Sequence, residues 1–223
     1  MFQAVITGDL VSSSEYSGEL IKQVVSELKE EFVLLEKKYG GTFALWRGDS
    51  FQGTVNSAED GLWVALRIKA LINKTHPNPK EKGIKSQAAI ADARISIAIG
   101  EVLSKVADPA ASNDETFVRS GRKLDSMKQK KRTLVINSET RSVDRELEVE
   151  LSLLEQITER WSIAAAEVVY YKLSGMEDRE IADLLDISLP AVYKRKKIAG
   201  WNACELLLKR YRELIMSLGG YGV

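Results

Sequence analysis

Two aspartates, each preceded by glycine, are the residues of this 223-residue chain best suited to metal or acid–base chemistry. Asp9 follows a short apolar run in Thr7-Gly-Asp-Leu-Val-Ser-Ser-Ser14, and Asp49 lies in Trp46-Arg-Gly-Asp-Ser-Phe51. Carboxylates a few ångströms apart repel unless a cation stands between them, and magnesium, a hard ion that takes oxygen ligands, is the cofactor such a pair calls for. The small residues Ser12 and Ser13 leave backbone N–H groups free to cradle phosphate near a helix start. Gly-Asp is also an ordinary turn dipeptide, so the pair carries the expectation and neither member does alone.

A second chemistry lies in the tail. Ile181, Ala182, Leu184 and Leu185 predict one apolar face of a short helix, Ile187 a tight turn, and Ser188 the N-cap of a following helix with Pro190 in its first turn. That helix is expected to keep Ala191, Val192 and Ile198 on or near its packed side and to send Lys194, Arg195 and Lys197 outward. Lysine and arginine neutralise phosphates while the first turns of such a helix meet base edges. The residues expected to touch DNA are Ser188, Leu189, Ala191, Tyr193, Lys194, Arg195 and Lys197.

Charge supports that placement locally and not globally. The chain has 32 Lys+Arg against 32 Asp+Glu, so bulk attraction to nucleic acid is absent. From Asp144 to Asp186 there are 12 acidic and 4 basic residues, whereas from Ser188 to Arg212 there are 7 basic and one acidic. The sign changes where the second helix begins. The single cysteine, Cys204, excludes an internal disulfide and fits a reducing cytoplasm, and the single histidine, His76, sits in a polar stretch. A Cys/His zinc site and a serine–histidine triad are thus nearly excluded by inventory. No apolar run approaches a membrane span, and the N-terminus lacks the basic start of a signal peptide.

The elements that must position these groups follow from periodicity. Residues 2–8 predict a buried strand; Leu20, Val24, Leu28, Phe32, Leu35 and Tyr39 mark one face of a helix over 17–39, stopped by Gly40 and Gly41. Residues 42–47 and 51–55 predict a hairpin with Asp49 at its tip. Ser57 and Asp60 predict a capping-box start for a helix carrying Leu62, Leu66, Ile68 and Leu71. Loops are expected near 73–87 and 104–115, a strand over 93–99, a helix over 116–130 and a strand over 132–136. This β-α-β-β-α-β-α-β order contains the ferredoxin-like unit, in which the first strand neighbours the hairpin. The fold class expected is α+β: a ferredoxin-like domain over 1–140, a connecting helix over 141–160, and an all-α helix-turn-helix domain over 161–223. In the connecting helix Val143, Leu147, Leu151, Leu154 and Ile157 form a stripe for packing or a dimer seam.

The segments Gly8-Asp-Leu-Val-Ser-Ser13 and Gly48-Asp-Ser-Phe-Gln52 resemble those of the SatD family. The tail, through Ile187-Ser188, Ala191-Val192, Arg195 and Ala199-Gly-Trp201, is similar to the helix-turn-helix that ends some of its members. Glu180-Ile-Ala, Ile187-Ser188 and Val192 also resemble the DNA-binding domain of sigma factors. More distantly, the front domain resembles the class III nucleotidyl cyclase and diguanylate cyclase fold. That resemblance implies two metal ions on Asp9, Asp49 and the backbone carbonyl of Leu10. It also implies nucleotide contacts from the helix around Val118 to Leu124. Departures are plain: Leu45 stands near the base-reading lysine, Arg119 and Lys123 stand where asparagine and arginine are usual, and Ser50 replaces an acid. Arg47, Arg119, Arg122 and Lys123 remain candidates for a phosphorylated ligand, beside Ser12 and Ser13.

The function expected is a cytoplasmic DNA-binding transcriptional regulator with a cyclase-like front domain sensing a nucleotide with magnesium. A homodimer is expected, since operators are often palindromic. The alternative is a magnesium-dependent nucleotidyl cyclase or nucleotidyltransferase in which Asp9 and Asp49 are catalytic.

Overall fold

The computed structural model describes residues 2–46, 48–76, 90–102 and 114–219. Strand β1 (Gln3–Leu10) lies in the middle of a five-stranded sheet. Its alternation decides the two faces: Ala4, Ile6 and Leu10 enter the main core, while Thr7 turns to the other side. Helix α1 (Gly18–Tyr39) follows, capped by the Ser17 side chain and stopped at Gly40, as its sequence predicts. Strands β2 (Phe43–Trp46) and β3 (Ser50–Val55) form the hairpin. Next come α2 (Gly61–Lys74), β4 (Ala93–Gly100), α3 (Glu115–Lys130) and β5 (Leu134–Asn137). The sheet order is β2-β3-β1-β4-β5, antiparallel throughout except for the parallel β4–β5 pair. The architecture is α+β, with a mixed sheet.

Helices α1 and α2 cover the apolar face and α3 the other. On that other face a row of polar side chains is buried: Gln52 Nε2 donates to Thr7 Oγ1 at 2.8 Å, and Ser120 Oγ on α3 to the same oxygen at 2.8 Å. Buried hydroxyls need such partners.

Two details differ from the sequence expectation. Ser57 and Asp60 form no capping box: Ser57 precedes a 3₁₀ turn (Ala58–Asp60) without a side-chain cap bond, and α2 starts only at Gly61. Helix α2 also has no solvent face. Residues Arg67, Lys69 and Asn73 are buried along with its leucines: Arg67 lies between Glu31 of α1 and the Tyr170 ring of α5, whereas Lys69 and Asn73 turn to Asp92 and to the carbonyls of Ala93 and Ala91. The expected loops around 73–87 and 104–115 lie largely outside the described residues.

The chain continues through α4 (Arg141–Thr158), α5 (Ile163–Ser174), α6 (Asp178–Leu184), α7 (Leu189–Ile198) and α8 (Trp201–Gly219). The α4 stripe is packed: Val143, Leu147, Leu151 and Leu154 are buried, and Ile157 lies against them. One contiguous cluster joins the sheet to Trp161, Ala165, Val169 and Leu173 of the tail and to Cys204 and Tyr211 of α8. Polar contacts fix the same junction. Trp63 Nε1 donates to the Leu173 carbonyl at 2.9 Å, and the Tyr211 hydroxyl to the Ala58 carbonyl at 2.7 Å. A second, small cluster of Val168, Ile181, Ala182 and Val192 holds α5, α6 and α7 together. Among the described residues no helix is long and apolar enough to cross a membrane.

Candidate functional site

The aspartates meet at one end of the sheet. In the antiparallel β1–β3 register Asp9 faces Ser50, and the backbone N–H of Leu10 donates to the Asp49 carbonyl at 2.9 Å. Glycine is needed before Asp9 because the Phe51 ring lies over Gly8: a Cβ there would come within 2.3 Å of it. Gly48, with φ +77, makes the left-handed turn that sets Asp49 at the hairpin tip. Ser12 also adopts a left-handed conformation, with φ 51 and ψ 39, and the next residue, Ser13, donates from its Oγ to Asp49 Oδ2 at 2.8 Å. Such a conformation is strained for a serine and tends to be kept where local geometry matters. Ser50 Oγ adds a bond of 3.2 Å to the other Asp49 oxygen.

A cation does join this end of the sheet, and it is part of the chain. Arg94 faces Asp9 across the β1–β4 pair, so both side chains leave the same face. Its Nε donates to Asp9 Oδ1 at 2.9 Å and its terminal nitrogen to Oδ2 at 2.6 Å, a two-pronged ion pair. The Asp9 carboxylate raises the Arg94 pKa above its ordinary value, with help from the charge of Asp49. Two residues farther along, the Val11 N–H donates to the Asp92 carbonyl at 2.8 Å. The Asp92 carboxylate is held by Lys69 Nζ at 2.5 Å and Asn73 at 3.1 Å, both from α2.

Magnesium does not fit these residues as they stand. Both oxygens of Asp9 are taken by Arg94, and an added divalent ion would sit beside a guanidinium of like charge. Asp49 is already bonded through both oxygens to Ser13 and Ser50. The Leu10 carbonyl, expected as a further ligand, has no second carboxylate free to work with it. Among the described residues no three His, Cys, Asp or Glu side chains are grouped closely enough to hold an ion.

The expected phosphate ligands scatter. Arg119 bonds the Ile99 carbonyl at 2.8 Å and pairs with Glu139 at 2.8 Å. Ile99 is five residues along β4 from Arg94, about 17 Å at strand rise. Lys123 instead lines a cleft with Lys130, Arg132 and Asp144 between α3, β5 and α4, and Arg122 is exposed. Ser13 joins the aspartate end directly, with Ser12 beside it; Arg47 lies outside the described residues. Arg94 was missed in sequence because an arginine opening an apolar strand reads as a flanking charge. Only the strand pairing shows that it faces Asp9.

The tail carries the second site. Helix α6 begins with a reciprocal capping box between Glu177 and Glu180. The turn closes with the Ile187 N–H on the Ala182 carbonyl at 3.0 Å, and Asp186 takes φ 51. Ser188 then caps α7, its side chain accepting from the Ala191 N–H at 3.4 Å, with Pro190 in the first turn. Val192 is the buried anchor of α7. Ser188, Tyr193, Lys194 and Lys197 are exposed, and Leu189 and Ala191 are half-buried.

Three residues depart from expectation here, and a fourth, Lys196, is also paired within the fold. Ile198 is 57% exposed: at ~100° per residue it lies about 120° around the helix from Val192, and Ala199, seven residues on, takes the buried position instead. Leu184, at the last turn of α6, is 55% exposed. Arg195 does not point freely outward but pairs with Glu167 of α5 at 2.9 Å. Lys196 bonds Asp178 at 2.8 Å; the lysines at 196 and 172 lower the Asp178 pKa although burial acts to raise it. Among the described residues, Lys194 and Lys197 make no ion pair. Compared with known proteins, the chain matches no family model and no curated sequence.

Proposed function

We propose that this chain is a DNA-binding transcriptional regulator whose α6–turn–α7 unit docks on the duplex. The observation that carries the proposal is the division of α7: one side is anchored through Val192, while Ser188, Tyr193, Lys194 and Lys197 stand exposed. A cationic helix of this kind gains affinity by releasing counterions from phosphates, and its first turn is free to meet base edges. Of the basic residues on α7, Lys194 and Lys197 are the phosphate contacts, since Arg195 and Lys196 have acidic partners within the fold. The test is fluorescence anisotropy of a labelled duplex across a salt series. Replacing both Lys194 and Lys197 by alanine reduces the salt slope by about two, about one per lost phosphate contact. If the double variant binds as tightly and with the same slope as the parent, α7 is not the DNA-contacting helix.

We place the front domain, ferredoxin-like by its strand order, as the sensing part, with its ligand at the Asp9–Asp49 end of the sheet. A nucleotide is the ligand that the cyclase resemblance brings, with Ser12 and Ser13 as the residues in position for it. The assembly proposed is a homodimer. Val149 and Leu153 of α4 and Leu206 of α8 are 64%, 64% and 69% exposed. Leu153 and Leu206 line an apolar cleft of about 450 Å³ with Leu154, Ile157 and Leu207, edged by Glu150 and Arg210. A two-fold pairing of such strips lays leucines against leucines and sets two recognition helices on one assembly. The cyclase or nucleotidyltransferase alternative gains no support from the geometry, because its metal ligands are bonded to Arg94, Ser13 and Ser50.

A further inference from the structure

We propose that Arg94 takes the place of a divalent cation at the aspartate end of the sheet, so that this end is assembled without metal. The need for a positive charge is set by Asp9 and Asp49, brought to one end of the sheet by the β1–β3 pairing. Register answers it: Arg94 is the β4 residue opposite Asp9, and its planar fork meets both carboxylate oxygens at 2.9 and 2.6 Å. Lysine at that position would offer a point charge without the planar pair of N–H donors that matches a carboxylate, so the fork is specific to arginine. The arrangement is partly shielded from water, with the Arg94 and Asp9 side chains 15% and 28% exposed. The third carboxylate nearby, Asp92, is balanced separately by the buried Lys69. Ser13 and Ser50 complete Asp49.

Asp9, Asp49 and Asp92 therefore each have partners supplied by the chain, and the guanidinium repels any divalent ion brought to Asp9. This inference stands apart from the DNA-binding proposal, since it concerns only what neutralises the sheet end.

The experiment compares melting temperatures in magnesium, in manganese and in a chelator at matched ionic strength. The full chain, Arg94→Met, and Arg94→Met combined with Asp9→Asn are measured side by side. The parent chain melts at the same temperature in all three solutions. Arg94→Met melts lower in chelator and recovers part of the loss in magnesium or manganese, because two carboxylates now lack their cation. The double variant does not respond to the ions. A saturable rise in the parent's melting temperature with magnesium, removed by Asp9→Asn, overturns the proposal, as does an Arg94→Met variant no more ion-responsive than the parent. Should Arg94→Met fail to fold, manganese binding to the parent chain decides by electron paramagnetic resonance. The free-ion signal stays undiminished if the proposal holds; one stoichiometric manganese site lost on Asp9→Asn contradicts it.

Discussion

The sheet end and α7 use the same residue types to opposite ends. At the sheet end the described cations are met within the chain: Arg94 by Asp9, Lys69 by Asp92, and, farther along α2, Arg67 by Glu31. On α7 the charges divide. Arg195 and Lys196 are met by Glu167 and Asp178, while Lys194 and Lys197 are left to solvent. The surroundings differ as much as the pairing. The sheet end borders the large cluster that unites the sheet, α2, α5 and α8, whereas α6 and α7 hang on four buried residues. Composition alone does not separate a structural cation from a binding one; a partner within reach does.

The contrast is broken most severely at Glu31 and Arg67, which bond each other with side chains only 1% and 7% exposed. The Tyr170 hydroxyl of α5 donates to the same carboxylate at 2.7 Å, tying the tail to α1 and α2. Replacing Glu31 by alanine strands a buried guanidinium and is expected to cost about 3–5 kcal/mol, read as a lower urea midpoint. An unchanged midpoint would show that this pair is no more structural than the surface charges of α7.

At the next level, pH separates the shared core from the helix pair. Burial pushes the Cys204 thiol from 9.0 up to about 12, and burial followed by the bond to Glu31 pushes Tyr170 from 10.0 up to about 12. Both pKa values are raised in the folded state, so their stabilisation is complete below pH 9.0 and falls away as pH rises towards about 12. Thermal melts between those limits should show a steady loss of stability, and Cys204→Ala should make that loss shallower. A pH-independent melting temperature over that range contradicts the burial of both groups.

The apolar strip offers a smaller effect on folding and a larger one on assembly. Leu206→Glu should leave the melting temperature of the monomer nearly unmoved, since Leu206 is exposed, and shift the molar mass in light scattering from two chains to one. A parent chain that is already monomeric at high concentration removes the dimer. Smallest of all, Ser188→Ala should cost about 0.5–1 kcal/mol through loss of the α7 cap, an exposed bond of 3.4 Å.

Much of the fold was legible because local signals carried it. Leu20 through Tyr39 gave α1 its face, Gly40 its end, and Ser188 with Pro190 the start of α7. The convergence of Asp9 and Asp49 was legible too, once β1 was set beside the hairpin. Long-range pairing was not. Arg94 meets Asp9 across 85 residues and Arg195 meets Glu167 across 28, distances over which no periodicity speaks. The burial of Arg67 and Lys69 was hidden for a related reason: Arg67 is covered by Tyr170 of α5, a hundred residues later, and Lys69 by Asp92 and Ala93 beside β4. Arg119 and Lys123 were expected as nucleotide contacts, yet the direction of α3 across the sheet takes them to other clefts.

The outward side of α7 is tested most directly by photo-crosslinking from two positions of the full chain bound to duplex DNA. A benzoylphenylalanine in place of Tyr193, on the exposed side of α7, should crosslink to the duplex in low salt and lose the product as salt rises. The same residue in place of Leu153, on the α4 strip, should give none. Equal crosslinking from both positions, or none from 193 while the protein is bound, would show that DNA meets a different surface.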